Sequence, residues 1–248
     1  MSLINESDKF FWHDFVRFYE FFFRDLEVKT IAEIGIFKGN SIRWLLERFP
    51  ESTIYAADIL PFQDSWPIDS RFIFSQFDQG NRIKLNDFFS KNQFDLIIED
   101  GSHIPEHQAL ALLEGITSLK SSGIYILEDI HTSYFRYGSL KFGNFEFFKK
   151  QRGNALTVLL ALKHYKDIGI ILTKDLALKI SKDSLFNVED ILMLNNSIEA
   201  IHFYRRTKLP DYCYSCGSTD FDFSNLKCSC GVEIFSDADS MSFVLIKK

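Results

Sequence analysis

Asp100, Glu128 and Asp129 each stand at the end of a short apolar run, and His103 follows the first of them by three residues. The two runs read Asp95-Leu96-Ile97-Ile98-Glu99-Asp100-Gly101-Ser102-His103 and Gly123-Ile124-Tyr125-Ile126-Leu127-Glu128-Asp129. An apolar run bounded by glycine and charge reads as a buried parallel strand. In an open α/β sheet the chemistry lies just past the carboxyl ends of such strands. Two neighbouring strand ends would bring the three carboxylates into one crevice beside His103. Three hard oxygen ligands and an imidazole suit a divalent cation, Mg²⁺ or Mn²⁺, and a proton acceptor working on one hydroxyl. Glu99 competes with Asp100 for this role, because alternation lets only one of the two point into the crevice. His107 and His131 compete with His103 as base. Asp129 could instead cap the turn that follows it.

A second chemical segment, Glu33-Ile34-Gly35-Ile36-Phe37-Lys38-Gly39-Asn40-Ser41, joins a strand to a helix. Gly35 and Gly39 allow a sharp turn and a close approach of backbone to ligand. The third glycine of a dinucleotide pyrophosphate loop is missing, which argues against a nicotinamide-dependent oxidoreductase, the alternative enzymatic reading. Glu33, ahead of the first glycine, suits a ligand with an amino group rather than a phosphate. Asp58, at the next strand end, is placed to accept from ribose hydroxyls. Asp78 and Gln79 end the third strand and could reach an adenine edge.

All four cysteines lie between positions 213 and 230, as Cys213-Tyr214-Ser215-Cys216-Gly217 and Cys228-Ser229-Cys230-Gly231. In a reducing compartment, clustered cysteines argue for metal before disulfide. Coordination by all four would make a closed, structural Zn²⁺ site. The competing picture is four reduced thiols in a surface hairpin. Covering an acceptor, mediating oligomerisation and gripping a carrier all remain open as roles for this insert.

The elements that must position these residues alternate strand and helix. Strands are expected at 30–35, 52–58, 71–78, 94–99 and 124–127, with helices at 40–48, 82–90 and 106–120, giving a parallel sheet with right-handed crossovers. Residues 10–26 read as one helix with aromatic side chains on most faces, so it must be buried in the core or in a subunit contact. After Glu128 the pattern loosens. Residues 132–143 read as a loop over the site and 145–165 as a helix interrupted near Gly153. Residues 168–172 and 176–180 read as extended, and 198–205 and 242–247 as strands flanking the cysteine insert at 207–240. With 248 residues and no low-complexity linker, one domain is expected, opened by a helical segment at 1–29. The net charge of −6 disfavours a broad grip on nucleic acid. No apolar stretch approaches membrane-span length, and the polar N-terminus lacks a signal-peptide pattern, so a cytoplasmic location is expected.

Glu33, Gly35, Gly39 and the strand-ending Asp58 together resemble the class I S-adenosylmethionine-dependent methyltransferases, over roughly residues 30–130. Asp100-Gly101-Ser102-His103 and Glu128-Asp129 further resemble the metal-dependent O-methyltransferases that act on sugar hydroxyls, a group that includes the cephalosporin hydroxylase-like proteins. The resemblance implies a Rossmann-like, doubly wound α/β sheet, mostly parallel with an antiparallel last strand; this chain adds an N-terminal helix and a cysteine-rich insert in the last hairpin. It implies S-adenosylmethionine bound by Glu33, Gly35, Gly39, Ser41, Asp58, Asp78, Gln79 and Asp100. It also implies Mg²⁺ or Mn²⁺ held by Asp100, Glu128 and Asp129, with His103 as general base. The acceptor would be a sugar: nucleotide-linked, in a surface-glycan precursor, or on a glycosylated metabolite. Tyr134, Phe135 and Tyr137 could stack on it. The family pattern does not require Cys213, Cys216, Cys228 and Cys230. A homo-oligomer is expected, and a catalytically inactive zinc-binding module is the remaining alternative.

Overall fold

The computed structural model describes residues 7–134, 153–236 and 239–248. Five apolar runs form parallel strands: β1 (Thr30–Ile34), β2 (Thr53–Asp58), β3 (Phe72–Gln76), β4 (Phe94–Glu99) and β5 (Leu119–Leu127). Two later strands, β6 (Ile198–Arg205) and β9 (Met241–Lys247), complete a seven-stranded sheet in the order β3-β2-β1-β4-β5-β9-β6. β9 runs antiparallel to both of its neighbours. A separate two-stranded hairpin, β7 (Phe221–Asp222) and β8 (Lys227–Cys228), lies in the β6–β9 connection and carries the cysteines. The strand order reverses between β1 and β4, and this is where an open sheet leaves a crevice at its carboxyl edge.

Successive residues of the inner strands serve opposite cores, which is why these strands are apolar without a break. Ile31, Leu96, Ile98, Ile124 and Ile126 pack with α2 (Phe15–Phe23) and α3 (Asn40–Arg48). Ala32, Ile97, Tyr125 and Leu127 pack on the other face with α4 (Arg82–Ser90) and α5 (Pro105–Ser118). That second core also takes α6 (Ala155–Asp167), α7 (Lys174–Ser181) and α8 (Val188–Ser197).

Several elements differ from the sequence expectations. Residues 10–26 are not one helix but two, α1 (Asp8–Phe11) and α2, with Asp14 in the left-handed region at φ 58°. The carbonyls of Trp12 and His13, which a continuous helix would use, instead accept from Arg206 Nη1 (2.7 Å) and the Tyr204 hydroxyl (3.3 Å). Residues 176–180 lie in α7 rather than a strand, because the Thr173 hydroxyl caps the helix by accepting from the Leu176 N–H. Residues 168–172 join no strand. The unanticipated α8 begins at a capping box between Asn187 and Asp190. β5 starts at Leu119, five residues before the expected strand, where α5 has already ended at Ser118. Ile130–Ser133 form a 3₁₀ turn, while Phe135, Tyr137 and most of the expected 132–143 loop fall outside the described residues.

Gly35 holds the crevice together. Its φ is +92°, and an added Cβ would overlap the Asp100 carbonyl oxygen at the end of β4. Gly35→Ala should therefore cost more than ~2 kcal/mol in urea unfolding; an unchanged midpoint would contradict this packing.

Candidate active site

The carboxyl ends of β1, β2, β4 and β5, together with the segment before α2, enclose a cavity of about 500 Å³. One wall is the glycine turn. Asp58 Oδ2 accepts from the N–H groups of Ile36 (2.8 Å) and Phe37 (3.2 Å), and its Oδ1 accepts from the Leu60 N–H (2.9 Å). The strand-ending acid thus clamps the turn while keeping a place on the cavity wall. Gly39, at φ +76°, packs against Trp66, whose indole N–H donates to the Phe37 carbonyl (2.8 Å).

Gln79 and Asp78 part ways. The Gln79 amide is committed inside the protein: it donates to Glu99 Oε1 (2.6 Å) and accepts from the Ser102 N–H (2.9 Å). Asp78 accepts from the Gly80 N–H and stays exposed at the cavity mouth. Glu99 and Asp100 face opposite ways, as strand alternation requires. Glu99 is fully buried away from the cavity, and burial pushes its carboxyl up to about 8. Asp100 lines the cavity.

A buried lysine meets the acidic strand ends. Lys9 Nζ lies 2.5 Å from Asp100 Oδ2 and 2.6 Å from Glu128 Oε2. Burial opposes its charge, but Asp100, Glu128 and Glu33 outweigh burial and hold its pKa well above the usual value. Burial pushes the Glu128 carboxyl up, against the pull of Lys9.

Asp129 faces three imidazoles instead. His103 Nε2 is 3.6 Å from its Oδ2, and His131 Nδ1 and His13 Nδ1 are 3.7 and 3.8 Å from its Oδ1. Burial would raise its pKa, yet His13, His131, His103 and Lys9 together hold it well below the usual carboxylate range. Its side chain makes no capping bond to the following turn. His103 sits at φ 57°, with Thr132 donating to its carbonyl (2.7 Å) and its Nδ1 buried without a partner. Donor atoms of Asp100, His103 and Asp129 all lie within 4.8 Å of one another; Glu128, turned to Lys9, stands outside that group. The competing histidines are placed differently. His107 pairs with the Ser102 hydroxyl (2.8 Å), and burial pushes the His131 ring down to about 4, so it is neutral above that pH.

Glu33 is fully buried; neither its carboxylate oxygens nor the Ser41 hydroxyl makes a hydrogen bond of good geometry, although Ser41 lies near enough to pull the Glu33 pKa down. Both line a second cavity of about 360 Å³, shared with Lys9, Gly35 and Asn40. Burial pushes the Glu33 carboxyl up to about 7, against the pull of Lys9. A buried carboxylate with no partner is costly alone and suits a cationic ligand group.

Sequence reasoning passed over Lys9 and His13. The available signal was their i, i+4 spacing in Lys9-Phe10-Phe11-Trp12-His13, two polar groups on one side of an otherwise aromatic turn.

No protein-family profile matches the chain. The sheet order, the glycine turn and the strand-end acids define a class I methyltransferase fold. Across 99% of its length the chain superposes on 55% of the MycE methyltransferase from the mycinamycin biosynthetic pathway, in complex with Mg and SAH, with a TM-score of 0.61 and 20% identity. Among curated proteins, it is 30% identical over 142 residues to the 8-demethyl-8-(2-methoxy-alpha-L-rhamnosyl)-tetracenomycin-C 3'-O-methyltransferase of Streptomyces olivaceus, covering 52% of this chain and 35% of that protein. It is 30% identical over 135 residues to the mycinamicin VI 2''-O-methyltransferase of Micromonospora griseorubida, covering 50% of this chain and 33% of that one. The matched region thus spans about a third of these relatives' length.

Proposed function

We propose that the chain is an S-adenosylmethionine- and divalent-metal-dependent O-methyltransferase acting on a sugar hydroxyl of a glycosylated small molecule, a nucleotide sugar or a glycan precursor. The reading rests above all on the meeting of Asp100, His103 and Asp129 at the cavity that also holds the Gly35 turn. It draws further support from relatives whose names specify methylation of sugar positions.

The residues present fit both groups. The Glu33 carboxylate, on the second cavity, suits the cofactor's ammonium, and Asp58 lines the first cavity, which shares Lys9, Gly35 and Asp100 with the second. Asp100 and Asp129, with hard donor oxygens, would hold the cation, and Glu128 would join them by exchanging Lys9. When bound, the cofactor supplies an electrophilic methyl on a sulfonium and the cation supplies charge that favours the alkoxide.

The chain's own work is alignment and proton removal. His103 takes the hydroxyl proton at Nε2, and Asp129, 3.6 Å away, stabilises the imidazolium that forms. His13 and His131 lie 3.8 and 3.7 Å from the other oxygen of Asp129. The Gly35 turn, packed against the Asp100 carbonyl, would let a bound cofactor approach the backbone beside the strand-end acids. The four cysteines would carry a structural zinc ion.

Purified protein given S-adenosylmethionine and a panel of glycosylated metabolites and nucleotide sugars should transfer methyl. It should lose activity in EDTA and regain it with Mg²⁺ or Mn²⁺. His103→Ala should lower kcat by at least ~100-fold with S-adenosylhomocysteine affinity unchanged. Full activity in metal-free buffer, or normal turnover of the variant, would contradict these roles. The Glu33 carboxyl, near 7 without ligand, must be charged to pair with an ammonium, so cofactor Kd should weaken up to about tenfold per pH unit below that value. Calorimetry across pH should show this slope in wild type and its loss in Glu33→Gln. The same slope in both would remove Glu33 from the cofactor site.

A further inference from the structure

We infer that Cys213, Cys216, Cys228 and Cys230 bind one zinc ion, and that this ion locks residues 8–13 over the active site. Cys213 Sγ lies 3.6 Å from Cys230 Sγ, and Cys216 Sγ lies 3.5 Å from Cys228 Sγ. All four sulfurs fall within 4.8 Å of one another. Four thiolates around one tetrahedral zinc, at Zn–S of about 2.3 Å, stand roughly 3.8 Å apart. A disulfide would need about 2.05 Å, and all four cysteines are free. Gly217 and Gly231, at φ +69° and +90°, turn the chain directly after each cysteine pair. The hairpin itself has only two-residue strands, so it has little to hold it without a metal.

The cysteine segment packs against the N-terminal segment. Phe11, Trp12, Cys213, Cys228 and Ile234 form one small buried cluster, separate from the two main cores. The Phe11 ring stacks on Tyr212 at 4.0 Å, and Trp12 meets Tyr214 edge-on at 4.7 Å. The Asp211 N–H donates to the Phe11 carbonyl (2.8 Å). Arg206, almost fully buried, donates to the carbonyls of Trp12 and Ile234 (2.7 Å each) and pairs with Asp239. Phe11 and Trp12 are flanked by Lys9 and His13, the two residues this segment delivers to Asp100, Glu128 and Asp129. α1 has only four residues and cannot hold that position alone. Tyr214, between the first two cysteines, also lines the cavity beside Glu33 and Ser41. The zinc site therefore acts through the cluster on α1, and through α1 on the charge of the active site.

Zinc content and hydrogen exchange test this without any methyl-transfer assay, so the result stands apart from the proposed activity. Protein purified in reductant without chelator should contain about one zinc per chain. Cobalt exchange should give the visible bands of tetrahedral thiolate coordination. Stripping zinc from the wild type with a zinc-selective chelator in excess Mg²⁺ should lower amide protection across residues 8–13 at least ~10-fold while β1 and β4 stay protected, and added zinc should restore it. Cys216→Ser/Cys230→Ser should fall below ~0.2 zinc per chain and show the same local loss; if that variant does not fold, the chelator arm on the wild type decides. Absence of metal, iron in its place, or disulfides in reduced protein would overturn the zinc site. Zinc loss that leaves residues 8–13 as protected as before would overturn the clamp.

Discussion

Negative charge gathered at the carboxyl edge of the sheet governs the rest of this structure. Glu33, Glu99, Asp100, Glu128 and Asp129 end three adjacent strands, and Glu33, Glu99 and Glu128 are buried almost completely. Burying carboxylates is costly unless each finds a proton or a cation. Glu99 takes the proton, with its carboxyl near 8. Asp100 and Glu128 take the Lys9 ammonium, and Asp129 lies within 4 Å of three imidazoles. Glu33, its carboxyl pushed up to about 7, is partly protonated near neutral pH, and its two oxygens leave a place for a cationic ligand.

This charge requirement explains why the N-terminal segment departs from helical form. A continuous helix over 10–26 would have packed its aromatic side chains on the sheet without bringing Lys9 and His13 together at the strand ends. The break before Asp14 turns α1 across the crevice, and Arg206, Tyr204 and the Asp211 N–H satisfy the freed carbonyls. Three parts of the chain that are far apart in sequence thus serve one electrostatic purpose. Lys9 also sets a condition on the proposed chemistry, because a divalent cation held by Asp100 and Glu128 must take the place of an ammonium already there.

The inner strands and the strand-end acids were legible because parallel strands buried on both faces leave uninterrupted apolar runs, as in β4 and β5. The positions of Gly35 and Asp58 followed from the same logic, since the turn after β1 has to admit both a ligand and the Asp100 carbonyl. Gln79 was less legible: its place at the end of β3 was clear, but its commitment to Glu99 and Ser102 depends on tertiary contacts. The helix break and Lys9 depend on contacts across some 200 residues, with Arg206 meeting Trp12, which no local pattern carries. α7 and α8 were legible in principle, because Thr173 and the Asn187/Asp190 pair are ordinary N-terminal signals that the apolar alternation of 176–180 obscured.

The proposed chemistry requires the acids ending β4 and β5 to share one divalent cation at the strand-end cavity. Crystals grown with Mn²⁺ and S-adenosylhomocysteine test it through the anomalous signal of manganese. One manganese peak is expected within roughly 2.3 Å of carboxylate oxygens of Asp100 and Asp129, with the Lys9 ammonium withdrawn from Asp100 and the ligand's amino group on Glu33. Density showing no manganese in the crevice, with Lys9 still bridging Asp100 and Glu128 at saturating metal, would contradict it.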